Sequence, residues 1–178
     1  MAKKQEIKHQ VKESNNVMRM IKIDKLILHV GGIADELEKG AKLLEYLTKR
    51  KAAKMKTKKR IPTFNIRPGL EVGAMITMRK GIDEFLRKML TTIDNKLRKK
   101  QINQNGFSFG IKEYIEIPGA EYQREIGIRG FDVTVSFKRA GYRVRLKKIK
   151  RGHIPKRQAI KKEEIIKFME EKFGTKFR

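Results

Sequence analysis

The chain has 178 residues, enough for one medium domain plus tails, and 39% of them are hydrophobic, enough for a real core. It carries 45 Lys or Arg against 20 Asp or Glu, a formal net charge of +25 with a pI near 10.4. There is no Cys, which excludes disulfides and thiolate metal sites, and no apolar stretch approaches the ~20 residues that span a bilayer.

A charge of this size implies a polyanionic partner rather than a fold. Nucleic acid is favoured over an anionic membrane, because the basic residues sit in long runs with aromatics and turns between them. Residues 1–16 are polar, with only Ile7 and Val11 to bury, and read as a flexible tail without the apolar core of a signal peptide. The expected setting is the cytoplasm.

The segment "MRMIKIDKLILHVGG" alternates and then turns continuously apolar, which predicts a strand ending at Gly31-Gly32. "ADELEKGAKLLEYLT" follows, with Leu37, Ala41, Leu44 and Leu47 at helical spacing. Asp35 and Glu36 sit at its positive end, and Gly40 weakens the pattern. The run "KRKAAKMKTKKR" (residues 49–60) holds eight basic residues and no acid. It predicts a loop that is anchored at both ends and disordered at its tip without a polyanion. "TFNIRPG" and "LEVGAMITMR" around Pro68-Gly69 predict two antiparallel strands.

"GIDEFLRKMLTTIDNKLRKK" predicts a helix whose stripe is Ile82, Phe85, Leu86, Met89, Leu90, Ile93 and Leu97. After a turn at Asn105-Gly106, Phe107, Phe109, Ile111, Ile115 and Ile117 follow a β pattern. "GFDVTVSFKRAGYRVRL" predicts two more strands turning at Ala140-Gly141. Val133, Val135 and Phe137 share one face, and Thr134 and Ser136 lie on the other between Asp132 and Lys138. Lys138 to Arg157 holds ten basic residues and no acid. "KKEEIIKFMEEKFG" closes as an amphipathic helix with Ile165, Phe168, Met169 and Phe173, ended by Gly174. Mixed elements with tight turns predict an α+β fold: a single domain over residues 17–178, with a mostly antiparallel sheet, helices on one face and basic loops.

Nothing in the sequence argues for catalysis. His9, His29 and His153 are scattered and form no metal-ligand spacing. His153 sits among cations and suits a phosphate contact. His29 ends a strand, where it suits either a backbone-satisfied core position or an RNA contact. The pairs Glu163-Glu164 and Glu170-Glu171 lie between lysines and suit charge pairing along a helix. "GFSFG" lacks the phosphate-loop pattern. No cofactor and no metal are expected.

The two basic segments hold 18 of the 45 basic residues, and a merely solubilising surface would intersperse acids. No helix-turn-helix, zinc-finger or basic-zipper pattern is present. A sheet with polar face residues and basic loops suits the shallow groove and irregular loops of folded RNA.

Four stretches, "NVMRMIKIDKLILHV", "KKRIPTFNIRPGLEVGAMITMR", "NGFSFGIKEYIEIPGAEYQREIGIRGFDVTVSFKRAGYRV" and "IPKRQAIKKEEIIKFMEEKFG", together resemble one family. This is the universal large-subunit ribosomal protein family called five in bacteria and archaea and eleven in eukaryotes, which binds 5S rRNA. The resemblance spans about residues 16 to 174, is most specific from Gly106 to Val144, and has an archaeal C-terminal end. It implies a non-enzymatic structural constituent of the large subunit, in the cytoplasm, that holds 5S rRNA in the central protuberance. It also implies contacts with large-subunit rRNA, a neighbouring 5S-associated ribosomal protein and a head protein of the small subunit, the last from residues 106–130. Its basic loop would approach P-site tRNA through Lys54, Lys56, Lys58, Lys59 and Arg60.

Three family positions for 5S rRNA carry over, to His29, Arg50 and Thr77, with Arg79 following the last. The family's Asn and Gln are here His29 and Arg50, and its Gly-x-Gly-Glu is here Gly31-Gly32-Ile33-Ala34, which alters the local hydrogen bonding. Arg67, Arg143, Arg145, Lys147 and Lys148 complete the expected rRNA contacts. The alternative is a non-specific nucleic-acid-binding or compaction protein. A weaker third reading is an enzyme acting on nucleic acid.

Overall fold

A computed structural model describes residues 16–178. The tail expected over residues 1–16 therefore lies, apart from Asn16, outside the described residues. In chain order the elements begin with strand β1 (Ile21–Gly31), helix α1 (Asp35–Thr48), β2 (Ala53–Lys56), β3 (Glu71–Met78) and α2 (Ile82–Thr92). Then come β4 (Lys96–Leu97), β5 (Ile102–Asn103), β6 (Gly106–Ile111) and β7 (Phe131–Arg139). The short helix α3 (Arg143–Leu146), helix α4 (Lys162–Phe173) and β8 (Lys176–Phe177) complete the chain.

Six strands form one sheet in the order β2-β3-β1-β7-β6-β5, with every neighbouring pair antiparallel. β4 and β8 make a separate parallel pair. This is the α+β architecture that the sequence predicts. β1 is central, and its alternation puts Leu26, Leu28 and Val30 on the buried face and Ile27 and His29 on the other. The register carries the buried face across the sheet: Leu28 opposes Ile76 and Val133, and Val133 opposes Phe109. Asp24 is an extra residue in β1 against β7, and its carboxylate meets Lys138 Nζ at 2.7 Å.

The helices supply the other half of the core through Leu37, Leu43 and Leu44 of α1, Leu86, Met89 and Leu90 of α2, and Ile165 and Met169 of α4. Phe107 and Phe109 are buried here, their rings stacked 6.0 Å apart, and Phe137 stands edge-on to Phe168 at 5.6 Å. Gly40 faces β1 so closely that a Cβ there would lie 2.5 Å from Val30 Cγ1. Gly174 ends α4 in the left-handed region, as predicted.

Four local expectations are corrected. The stretch 63–69 is not a strand: Pro62–Phe64 form a 3-10 turn, and Ile61 bridges Ile66. The strand that pairs with β3 is instead β2, drawn from inside the basic run. The long helix stops at Thr92 rather than continuing to Lys100, because Asp94 and Asn95 take φ of 54° and 55°. Their short polar side chains tolerate that left-handed geometry, and Leu97 still reaches the core from β4. Residues 115–117 are not a strand either. Tyr114–Glu116 form a 3-10 turn, pinned where the buried Tyr114 hydroxyl accepts the Gln123 amide at 2.8 Å. Finally, the chain beyond Gly141 coils into α3 instead of returning as a strand.

Candidate nucleic-acid interface

Because all the described core residues of the sheet lie on one face, the opposite face is left as a polar surface. Cross-strand register assigns its rows. One runs Met75–His29–Asp132–Gly110, and the next Thr77–Ile27–Thr134–Ser108. A third pairs Lys25 with Ser136, which opposes Gly106. The glycines keep the surface low. The His29 imidazole lies across Gly73, where a Cβ would stand 3.0 Å from its Nε2. His29, Gln101, Ser108, Asp132 and Thr134 line a shallow hollow on this face. Hydroxyls, an imidazole and small residues on an even sheet can donate to phosphate and ribose oxygens and to base edges.

The basic segments sit at opposite ends of this face. β1 spans about 35 Å over its 11 residues. At one end, beyond Gly31 and Glu71, the β2–β3 hairpin carries Lys56, Lys58, Lys59, Arg60 and Arg67. At the other, beyond Met78 and Arg139, lie Arg79, Arg143, Arg145, Lys147 and Lys148, all exposed.

The structure thus brings His29 and Thr77 onto one surface and flanks them with the two cationic groups. Arg50 is exposed just past the left-handed end of α1 at Lys49, at the root of β2 and away from the hairpin tip.

Two expectations about these segments change. The run 49–60 is ordered by the protein's own backbone, not only by a polyanion. Ala53 to Lys56 pair with Met75 to Glu71, the Thr57 amide bonds Leu70 O at 2.9 Å, and the Gly69 amide bonds Thr57 O at 2.8 Å. Lys54 does not belong to the tip. It points to the helix side, with Glu38 at 3.8 Å and Glu71 at 3.9 Å. The stretch 138–157 is acid-free in sequence but not in space, since Asp24 pairs with Lys138 and Glu164 with Arg139.

Arg139 is 8% exposed, and its Nη2 donates to Glu164 Oε2 at 2.5 Å. The same carboxylate oxygen accepts the Lys161 amide at 3.1 Å at the start of α4. Partial burial would raise the Glu164 carboxyl. The Arg139 hydrogen bond and charge, with the Lys161 amide, outweigh it and hold the group below its ordinary value.

Asp132, Ser108, Thr134 and Ser136 were not among the expected site residues. Their signal was the polar alternation of β6 and β7, which identifies a solvent-facing row without showing that His29 and Thr77 share it.

A one-sided antiparallel sheet with a polar face and cationic ends defines a nucleic-acid-binding α+β protein. Residues 71–168 match the C-terminal part of the ribosomal protein uL5 family. The chain is 40% identical over 162 residues to "Large ribosomal subunit protein uL5" of Nanoarchaeum equitans, covering 89% of this chain and 96% of that protein. It is 40% identical over 168 residues to the protein of the same name from Picrophilus torridus, covering 92% and 96%. For that of Sulfolobus acidocaldarius the identity is 38% over 167 residues, covering 92% and 94%. The chain belongs to the uL5 family of ribosomal proteins. It is accordingly a structural ribosomal protein rather than an enzyme, and it works in the ribosome in the cytoplasm.

Proposed function

We propose that this chain, a structural constituent of the large ribosomal subunit, holds 5S rRNA on the open face of its sheet and helps attach it in the central protuberance. The observation that carries the reading is the uncovered polar face, with His29 and Thr77 in adjacent rows and basic groups at both ends. The face orients the RNA through short polar contacts, while the flanking Lys and Arg neutralise phosphates. Arg50, Arg79, Arg67, Arg143, Arg145, Lys147 and Lys148 extend these contacts to 5S and large-subunit rRNA. The hairpin tip, Lys56 to Arg60, projects beyond the sheet and reaches P-site tRNA. The segment 113–130, with Glu113, Glu116, Glu121 and Glu125 and the exposed Tyr122 and Ile128, offers an acid-bearing surface for the small-subunit head protein. A neighbouring 5S-associated protein completes the assembly.

The test is binding of the full chain to 5S rRNA and to an unrelated folded RNA of equal length, at several salt concentrations. Tighter binding of 5S rRNA at every salt supports the reading. Equal affinity and equal salt slope for both RNAs would replace it with non-specific binding. Within 5S binding, Thr134→Glu should weaken the complex while leaving thermal stability unchanged, since Thr134 faces solvent from a strand centre.

A further inference from the structure

A second, separate concavity lies off the sheet, where the β5–β6 turn, the end of β7, α3 and the segment 153–160 converge. It encloses about 260 Å³, close to the ~300 Å³ lower bound of small-ligand sites, and so has room for one small planar group. Phe137, Tyr142, Ile154 and Pro155 are among its walls, and Gln104, Asn105, His153 and Gln158 bring hydrogen-bonding groups. Arg145 and Lys156 also line it. Arg139 lines it too, 8% exposed, with an Nε–H that meets no acceptor among the described residues. An apolar slot with convergent amides, a buried orphan donor and cations beside it is more than a charged surface patch. Such a patch would need only phosphates, whereas this slot offers an unstacked base both a π-face and polar edge partners.

We propose that this cleft captures a single unstacked nucleotide of the bound RNA, with the base between Tyr142 and the Ile154-Pro155 wall and its phosphate on Arg145 and Lys156. The inference rests on the RNA-binding reading above but uses none of the open-face residues. It gives the second basic segment a definite role. Lys138 and Arg139 are fixed by Asp24 and Glu164, so the segment is held as the rim of a cleft rather than left as a tail.

The test uses the full chain and two short RNAs of equal charge, hexa-adenylate and the same hexamer with every base removed. Ala140, a small half-buried residue of the cleft lining, is replaced by Leu to fill the slot without changing charge. The wild type should bind the base-bearing hexamer more tightly by about fivefold to a hundredfold, the range that stacking one base on an aromatic supplies. In Ala140→Leu the preference should vanish while affinity for the abasic hexamer stays, and Tyr142→Ala should reduce it independently. Lys156→Gln should weaken both hexamers alike. Equal binding of the two RNAs by the wild type, or a preference that Ala140→Leu and Tyr142→Ala both leave intact, overturns the proposal. Failure of the 5S reading shows separately, as loss of the 5S preference in the wild type.

Discussion

Removing the Glu164 carboxylate by Glu164→Ala strands a buried cation. Arg139 is 8% exposed and its Nε already lacks an acceptor, so the Glu164 carboxylate is what balances its charge. A fully buried pair that loses one member costs about 3–5 kcal/mol. Glu164 keeps 40% of its side-chain surface in water, which screens the pair and lowers the figure. A charged hydrogen bond contributes about 1.5–3 kcal/mol. The expected loss is therefore about 2–3 kcal/mol. For a chain of this length that lowers the melting temperature by roughly 5–10 °C.

Urea unfolding of the full chain at pH 7 measures it. The double variant Arg139→Met/Glu164→Gln should recover most of the loss, because an apolar side chain needs no counter-charge there. The pH dependence has a fixed sign. The folded-state pKa of Glu164 lies below the ordinary 4.5, so the pair's stabilisation is complete above that value. It disappears as pH falls through the lower folded value, and wild type and Glu164→Gln should converge there. A change within about 0.5 kcal/mol at pH 7 would place this pair among ordinary surface contacts and refute the reasoning.

Gly40→Ala should destabilise by about 1–3 kcal/mol in thermal or urea unfolding, since its Cβ would collide with Val30 Cγ1 at 2.5 Å. Helix propensity alone predicts a gain of about 0.5–1 kcal/mol, so the sign decides between the two. Phe107→Ala should cost about 3–5 kcal/mol and leave the RNA affinity of the folded fraction unchanged, as the ring is 2% exposed and stacked on Phe109. Simultaneous reversal of Lys56, Lys58 and Lys59 to Glu should leave binding of isolated 5S rRNA largely intact and weaken association with tRNA-bearing ribosomes. Arg50→Glu should do the reverse. Filter binding and subunit pelleting distinguish them.

Local periodicity was enough to determine the α+β class, the central strand, three helices and the apolar stripes that bury them. Those features follow from side-chain alternation and from helix spacing, which act over a few residues. The net charge of +25 and the absence of Cys determined the class of partner. The resemblance of four stretches determined the family.

Long-range pairing decided the rest. The run "KRKAAKMKTKKR" looks like loop by charge, yet Ala53 to Lys56 find backbone partners on β3, and hydrogen bonds across a sheet outweigh the mutual repulsion of lysines in water. The acid-free stretch 138–157 gains Asp24 and Glu164 only in space. Gly40 is a weak spot in a helix by sequence and a close helix–strand contact in the fold. Asp94 and Asn95 end a helix whose apolar stripe continues past them. Above all, His29, Thr77, Thr134 and Ser108 come from four strands, and only the register sets them in adjacent rows on one uncovered face.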